Sequence, residues 1–146
     1  MIHGANTPEE RQLGATILLN EIGVQPSMGD QYLFWLDPET KAVEWCIGYT
    51  SFLGKTCQMH VVNAKKKYTP RKLLWAAFDY PFNKCGCEIV FGTVNSNNEE
   101  AMKYDQHLGF TEVNRFPGVH DDGGDIVLFQ MNKADCRFIK EHRHAA

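Results

Sequence analysis

The sequence contains no apolar run long enough to cross a membrane. A spanning helix needs ~20 apolar residues, and the longest apolar clusters of this 146-residue chain are the length of a strand. It also lacks a basic N-terminal segment followed by an apolar one, so we expect no signal peptide. Neither sign of charge dominates, since a net charge of −3 and a pI near 6.0 disfavour a broad nucleic-acid-binding surface. We therefore expect a cytoplasmic, single-domain protein covering residues 1–146, with no membrane or nucleic-acid partner.

Cysteine and histidine do not form a metal-binding pattern. The five cysteines are irregularly spaced, and the close pair Cys85 and Cys87 has no matching second pair at ligand spacing. We expect reduced, partly buried thiols and no metal. The polar segment 139–146 contains His142 and His144, and we predict a flexible tail there rather than a ligand pair.

The spacing of apolar residues alternates between helical and strand periods. The first helix has clear boundaries, with Thr7 as N-cap, Glu10 closing a capping box and Gly23 as the stop. The predicted elements are helix 7–22, strands 32–36, 43–49 and 56–62, a helix with Thr69 as N-cap, Pro70 at N1 and its end near Tyr80, strand 88–94, helix 98–108 before Gly109, and strands 111–116 and 125–131. A strand–helix–strand crossover flanked by hairpins is typical of an α/β (α+β) mixed, mostly antiparallel sheet with helices on both faces.

A basic turn precedes the second predicted helix. Residues 65–72 hold five of the fifteen Lys and Arg residues of a chain that is acidic overall. Because a helix N-terminus also favours negative charge, this segment predicts an anion site. Two alternatives stay open: a solvated charged face, or a small nucleic-acid patch.

The helix over 98–110 contains a recognisable motif. Its Asn98, Ala101 and terminal Leu108-Gly109-Phe110 resemble the Asn-x-x-Ala…Leu-Gly-Phe helix of the GCN5-related N-acetyltransferase (GNAT) superfamily. Residues 122–131 resemble the aspartate-led last strand of its ribosomal-protein and polyamine acetyltransferase branches, and residues 135–138 the acidic–aromatic segment that often follows. Small proteins of this build are also common in bacteriophages.

The resemblance implies transfer of an acetyl group from acetyl-CoA to a primary amine, either a protein lysine or N-terminus or a small polyamine. In the family, the pantetheine arm lies between two splayed strands and hydrogen-bonds the first of them, as an added strand does. The residues that would contact acetyl-CoA are the backbone of Val61 and Val62, the pyrophosphate-binding Lys65, Lys66, Lys67, Thr69, Arg71 and Lys72, and Asn98.

The turn departs from the family pattern. The family has glycines there, which let backbone N–H groups converge on phosphate, whereas this turn has none, is about two residues shorter and carries Pro70. Side-chain charge can substitute for those donors. The alternative function is a catalytically inactive relative that serves as a binding or virion component.

The catalytic assignments are open. Counting back from Gly109, the family's usual tyrosine acid is replaced by Asp105, and Tyr104 points about 100° away on the helix. Either residue, or water, could supply the proton. His60 is a candidate base or a structural strand histidine, with Glu44 and Glu88 as carboxylate alternatives.

The loop before the last strand is acidic. His120, Asp122 and Asp125 form either a hairpin turn or an electrostatic site for a cationic amine. This loop and residues 25–30 are where acceptor specificity is expected to lie. An oligomer is possible, and the sequence does not decide it.

Overall fold

The computed structural model describes residues 1–139 of the chain. In chain order its elements are β1 (Ile2–Gly4), α1 (Pro8–Ile22), β2 (Gln31–Leu36), β3 (Val43–Leu53), β4 (Thr56–Asn63), α2 (Arg71–Asp79), a π-helical turn (Tyr80–Lys84), β5 (Ile89–Asn95), α3 (Glu99–Leu108), β6 (Thr111–Phe116), β7 (Ile126–Asn132) and a 3-10 turn (Lys133–Asp135). The strands form one seven-stranded sheet in the order β1-β2-β3-β4-β5-β7-β6. Neighbours are antiparallel except β4 and β5, which are parallel. The expected mixed sheet is confirmed.

Two apolar clusters cover the two faces of the sheet. On one face, Leu18 of α1 packs with Phe34 and Val62 over β2–β4. On the other, Phe78 of α2 and Leu108 of α3 belong to the larger cluster. Side chains alternate along each strand, so each strand residue can be assigned to the α1 face or to the α2/α3 face.

The predicted boundaries of α1 and α3 are confirmed. Thr7 accepts from Glu10 N–H and Glu10 completes the capping box, while Gly23 and Gly109 end their helices with positive φ angles of 71° and 107°. Both helices are specified by local signals next to the residues they act on.

The predicted end of α2 near Tyr80 is confirmed, with Tyr80 as the C-cap, whereas its predicted N-cap was wrong. Its N-cap is Pro70 rather than Thr69, because the Thr69 hydroxyl bonds elsewhere, as described below. The chain also continues turning past Pro81. Proline lacks the N–H that an α-helical bond would need, but a wider turn closes with Cys85 N–H donating to Tyr80 O at 3.0 Å.

The two ends of the described chain also differ from expectation. Sequence reasoning missed β1, a three-residue edge strand paired with β2, because so short a strand has no periodicity. Ile139, predicted to begin a flexible tail, is buried at 2% exposure. Residues 140–146, including His142 and His144, lie outside the described residues. Between residues 1 and 139, no helix has both the length and the apolarity needed to span a bilayer.

Candidate functional site

The two central strands separate along their length. The register of parallel β4 and β5 contains three pairs, Thr56↔Ile89, Cys57↔Val90 and Gln58↔Phe91. Beyond these pairs, β4 continues to Asn63 and β5 to Asn95, and no further pairing is formed between them in the described chain. The result is a V-shaped gap that widens toward the carboxyl ends of both strands.

Backbone polar groups of β4 face this gap. Ala64 N–H donates to Glu44 O at 2.9 Å, so residues 44 and 64 form a hydrogen-bonded pair. In an antiparallel ladder such pairs alternate, and the register continues without a shift through Val62 and His60. His60 and Val62 therefore direct their backbone groups to β3. Met59, Val61 and Asn63 direct theirs toward β5, and Val61 and Asn63 lie beyond the last registered pair, where the gap opens.

This pattern distinguishes the two predicted backbone contacts. Val61 offers its backbone to the gap, whereas the backbone of Val62 pairs with Cys46 of β3 and its side chain is 5% exposed in the core under α1. Met59 and Asn63 were missed by the sequence reasoning. The period-two pattern of the strand, counted from Val61, could have identified both.

The basic turn and the start of α2 lie at the wide end of the gap, directly after β4. Pro70, the N-cap residue of α2, makes no side-chain cap hydrogen bond, so this helix start lacks the N-cap bond that α1 and α3 have. The turn is closed by Asn63, which donates to Lys67 O at 2.8 Å and accepts from Lys67 N–H at 3.2 Å. Lys66 adopts a positive φ of 55°, a conformation that glycine accepts more easily.

The positive charges of the turn are not equivalent. Lys67 Nζ lies 2.5 Å from Glu44 Oε2, and Glu44 is 7% exposed. This pair balances one lysine and removes Glu44 from the candidate bases. Lys65, Lys66, Arg71 and Lys72 have exposed side chains. A helix N-terminus with uncapped N–H groups and several cations can hold a phosphate or another anion.

Asp105 projects from α3 onto the gap-lining strand β5. A Cβ on Gly92 would lie 3.4 Å from Asp105 Oδ2 and 3.9 Å from the carbonyl oxygen of Met59. The carboxyl group therefore lies beside the gap, in the space left by a glycine. Burial raises the pKa of Asp105 to about 6, so a fraction of this carboxyl remains protonated near neutral pH and can donate a proton.

Tyr104 points to a different part of the site. Its hydroxyl hydrogen-bonds Thr69 Oγ1 at 2.9 Å, and its ring stacks on Trp45 with centroids 6.4 Å apart. Burial raises the pKa of Tyr104. The hydroxyl is thus engaged with the basic turn rather than directed to Gly92.

His60 lies on the opposite face of the sheet from Asp105. Its Nε2 is 2.8 Å from Thr50 Oγ1, and the residue is 8% exposed. Burial lowers the pKa of His60 to about 4, so the ring is neutral at pH 7 and retains a lone pair on one nitrogen. The sequence reasoning missed Thr50. Thr50 opposes Gln58 of β4, which is two residues from His60 and shares its face of the sheet, so the strand register would have identified Thr50 as a neighbour of His60. Glu88 is exposed and precedes β5.

Asn98 caps the helix that it precedes. Its Oδ1 accepts from Ala101 N–H at 3.1 Å. The side-chain amide nitrogen remains as a donor group at the α3 side of the site.

The loop between β6 and β7 brings its polar residues to the end of β5. Asn95 Nδ2 donates to Asp122 Oδ2 at 2.8 Å, and His120 Nδ1 lies 3.4 Å from Asp122 Oδ1. Hydrogen bonds from Gly124 N–H and then Asn95 lower the pKa of Asp122. By strand alternation Asn95 shares its face with His60.

Asp125 belongs to a separate contact. It lies 3.2 Å from Arg115 Nη1 and accepts from Gly118 N–H at 3.0 Å. Its negative charge is therefore balanced within the loop, and Asp122 and His120 are the more accessible pair.

Comparison with known proteins gives a match of fold. No protein-family model and no curated protein matches the sequence. Mutant forms of the spermidine/spermine N-acetyltransferase SpeG from Vibrio cholerae superpose with a TM-score of 0.74 at 12% identity, over 97% of each chain. The spermidine N-acetyltransferase from Vibrio cholerae in complex with CoA and spermine gives 0.71 at 12% identity, over 94% of this chain and 97% of the other. Its dodecameric form gives 0.72 at 12%, over 92% and 94%. The expected GNAT-like fold is confirmed.

Proposed function

We propose that the chain is an N-acetyltransferase that moves an acetyl group from acetyl-CoA to a primary amine. The observation that carries this proposal is the gap between β4 and β5, where Val61 and Asn63 direct their backbone groups away from β3 and no pairing with β5 is registered within the described residues. An extended arm rich in amides can pair with such a strand edge. The shared fold with an enzyme solved with CoA and spermine supports the same reading.

The two ends of acetyl-CoA fit two parts of the site. The pantetheine arm would lie along β4 beside Val61, and the pyrophosphate would lie at the uncapped start of α2. Lys65, Lys66, Arg71 and Lys72 would supply positive charge there, and Lys67 least because Glu44 balances it. Asn98 would donate its amide to the arm.

The chemistry follows from groups on the two faces of the gap. The amine nitrogen attacks the thioester carbonyl carbon from the face that carries His60, and a backbone N–H of β4 stabilises the oxyanion. The C–S bond then breaks. Asp105, on the other face, donates its proton to the departing thiolate, while His60 accepts the proton lost by the nitrogen, directly or through water.

The acceptor that the site supports best is a small polyamine. Asp122 and His120 lie on the same face as His60, and an ionised Asp122 would attract a cationic chain. The structural neighbours are spermidine and spermine acetyltransferases. Asp125 would act indirectly, by holding the loop through Arg115. A protein lysine or N-terminus is the alternative acceptor.

A second candidate function is binding without turnover. The glycine-free turn and the replacement of the family's tyrosine by Asp105 favour it. Such a protein would use the gap to hold a ligand and would release no CoA.

Calorimetry with CoA, followed by a thiol-release assay with acetyl-CoA, tests both functions. Binding together with release on addition of spermidine or spermine supports the enzyme. Binding without release for these amines and for a lysine peptide supports the second candidate. An absence of binding at about 1 mM cofactor, a free energy near 4 kcal/mol, would reject the enzyme.

A further inference from the structure

A hydrogen bond links the basic turn to α3 across 35 residues of sequence. Thr69 Oγ1 and Tyr104 OH are 2.9 Å apart. Thr69 directly precedes Pro70, the N-cap of α2, and Tyr104 directly precedes Asp105. The bond therefore joins the start of α2 to the residue next to the candidate acid.

The bond also determines whether Thr69 can cap the N-terminus of α2. Threonine is a preferred N-cap residue because its hydroxyl can accept from a helix N–H. Here that hydroxyl is hydrogen-bonded to Tyr104 OH, and Pro70 at the N-cap position makes no side-chain cap bond. The residue that precedes the N-cap is thereby tied to α3 instead of capping its own helix.

The tyrosine is itself held in place by packing. Its ring stacks on Trp45, which is 3% exposed, at an interplanar angle of 28°. Trp45 Nε1 is buried and makes no hydrogen bond within the described residues. Trp45 therefore acts on Tyr104 through ring packing and not through a polar contact.

We propose that Tyr104 is a positioning residue that fixes the basic turn over the start of α2 through Thr69. It takes this role in place of proton donation. The inference rests on the proposed function for its effect on acetyl-CoA. α3 then acts on the cofactor at two points, with Tyr104 setting affinity at the phosphate end and Asp105 facing the thioester end.

Tyr104→Phe removes one hydroxyl and tests the proposal. Because a single hydrogen bond is worth about 1 kcal/mol, we expect the Kd for CoA and the KM for acetyl-CoA to rise about 5-fold. The kcat at saturating substrate should stay unchanged. A Tyr104 that donates the proton would instead lose kcat, and that result would overturn the proposal.

A double-mutant cycle separates positioning from general damage. Thr69→Val should weaken CoA binding as much as Tyr104→Phe, and the double variant should be no weaker than either. Thr69→Ser retains the hydroxyl and should bind like the wild type. Tyr80→Phe is the matched control, since Tyr80 is another half-buried tyrosine, packed on Tyr49. Additive losses, or equal losses in Tyr80→Phe, would overturn the proposal.

A readout without ligand distinguishes this inference from the proposed function. Amide hydrogen exchange over residues 64–73 of the free protein should become faster in Tyr104→Phe and stay unchanged in Tyr80→Phe. If the wild type bound no CoA while this exchange became faster, the acetyltransferase proposal would fail and the positioning role would stand. Unchanged exchange would overturn the positioning role itself.

Discussion

The N-termini of α3 and α2 are built in opposite ways. At α3, Asn98 accepts from Ala101 N–H, and Glu99 and Glu100 occupy the first turn. At α2, Pro70 stands at the N-cap position and makes no side-chain cap bond, and the first turn has no acidic residue. Arg71 and Lys72 stand there instead.

This difference separates a helix start that carries its own stabilising groups from one for which we propose anion binding. A helix N-terminus carries partial positive charge, so acidic residues stabilise it and basic residues do not. α3 supplies its own cap and its own negative charge. α2 supplies neither, and a bound anion would provide both. The same contrast predicts that removing the cap of α3 affects stability, whereas changes at the start of α2 affect affinity.

The largest effect is expected at Asp105. Asp105→Asn removes the proposed acid from α3, so kcat should fall about 100-fold while the Kd for CoA stays near the wild-type value. Burial raises the pKa of Asp105 to about 6, and only the protonated form donates. In the wild type, kcat should therefore fall as pH rises through 6, because Asp105 loses the proton that it donates. The variant should show no such fall in its pH–rate profile.

Glu99→Gln is the matched control, because it neutralises an exposed carboxylate on the same helix. It should leave both kcat and the profile unchanged. If Asp105→Asn behaved like this control, the acid would not be Asp105.

A smaller effect is expected at the basic turn. Lys66→Ala combined with Lys72→Ala should raise the Kd for CoA about 10-fold, since charge-assisted contacts to phosphate are worth about 1.5 kcal/mol or more. The kcat at saturation should not change. Salt should reduce the difference, because exposed charges are screened. Isothermal titration at two salt concentrations measures this.

The control pair for the turn is Lys55→Ala with Lys133→Ala, which removes the same charge away from α2. Equal weakening by this pair would show that net charge, and not the turn, governs binding.

Changing the caps should alter stability by about 1 kcal/mol. Asn98→Ala should destabilise the protein by that amount in urea unfolding. Pro70→Asp should stabilise it by a similar amount relative to Pro70→Ala, since an aspartate at the N-cap can accept from an N–H group of the first turn. Pro70→Asp should also weaken CoA binding, because the added carboxylate competes with the ligand. Unaltered binding in this variant would place the anion elsewhere.

The smallest effect concerns the left-handed residue of the turn. Lys66 has a φ of 55°, and a non-glycine residue in this region is strained by about 1 kcal/mol. Lys66→Gly should therefore be more stable than Lys66→Ala by roughly 0.5–1 kcal/mol. Comparing glycine with alanine keeps the loss of charge equal in the two variants. Equal stabilities would mean that the turn relaxes around residue 66.

Local signals were enough to predict most of the fold. Thr7, Glu10 and Gly109 act on helix ends a few residues away, and the structure confirms each. Thr69 satisfied the same local rule and was wrong as an N-cap. Its hydroxyl is taken by Tyr104, and no short-range pattern encodes a contact of that sequence separation.

The site was predictable only in part for a similar reason. The basic turn follows from the charge of residues 65–72, and the gap was expected only from the family resemblance. The proton affinities of His60 and Asp105 depend on burial by other elements, and the pairing of Lys67 with Glu44 depends on how the turn folds back on β3. These properties arise from tertiary packing.

The three residue pairs between β4 and β5 have a further consequence for folding. Within the described residues, these pairs are all of the strand pairing that joins two halves of the sheet, β1–β4 and β5–β7. Each half is antiparallel throughout. A ligand paired with β4 in the gap would act as an additional strand bridging the halves. Substrate would then be a structural component, and by mass action CoA at 100 times its Kd would add about 2.7 kcal/mol to the free energy of unfolding.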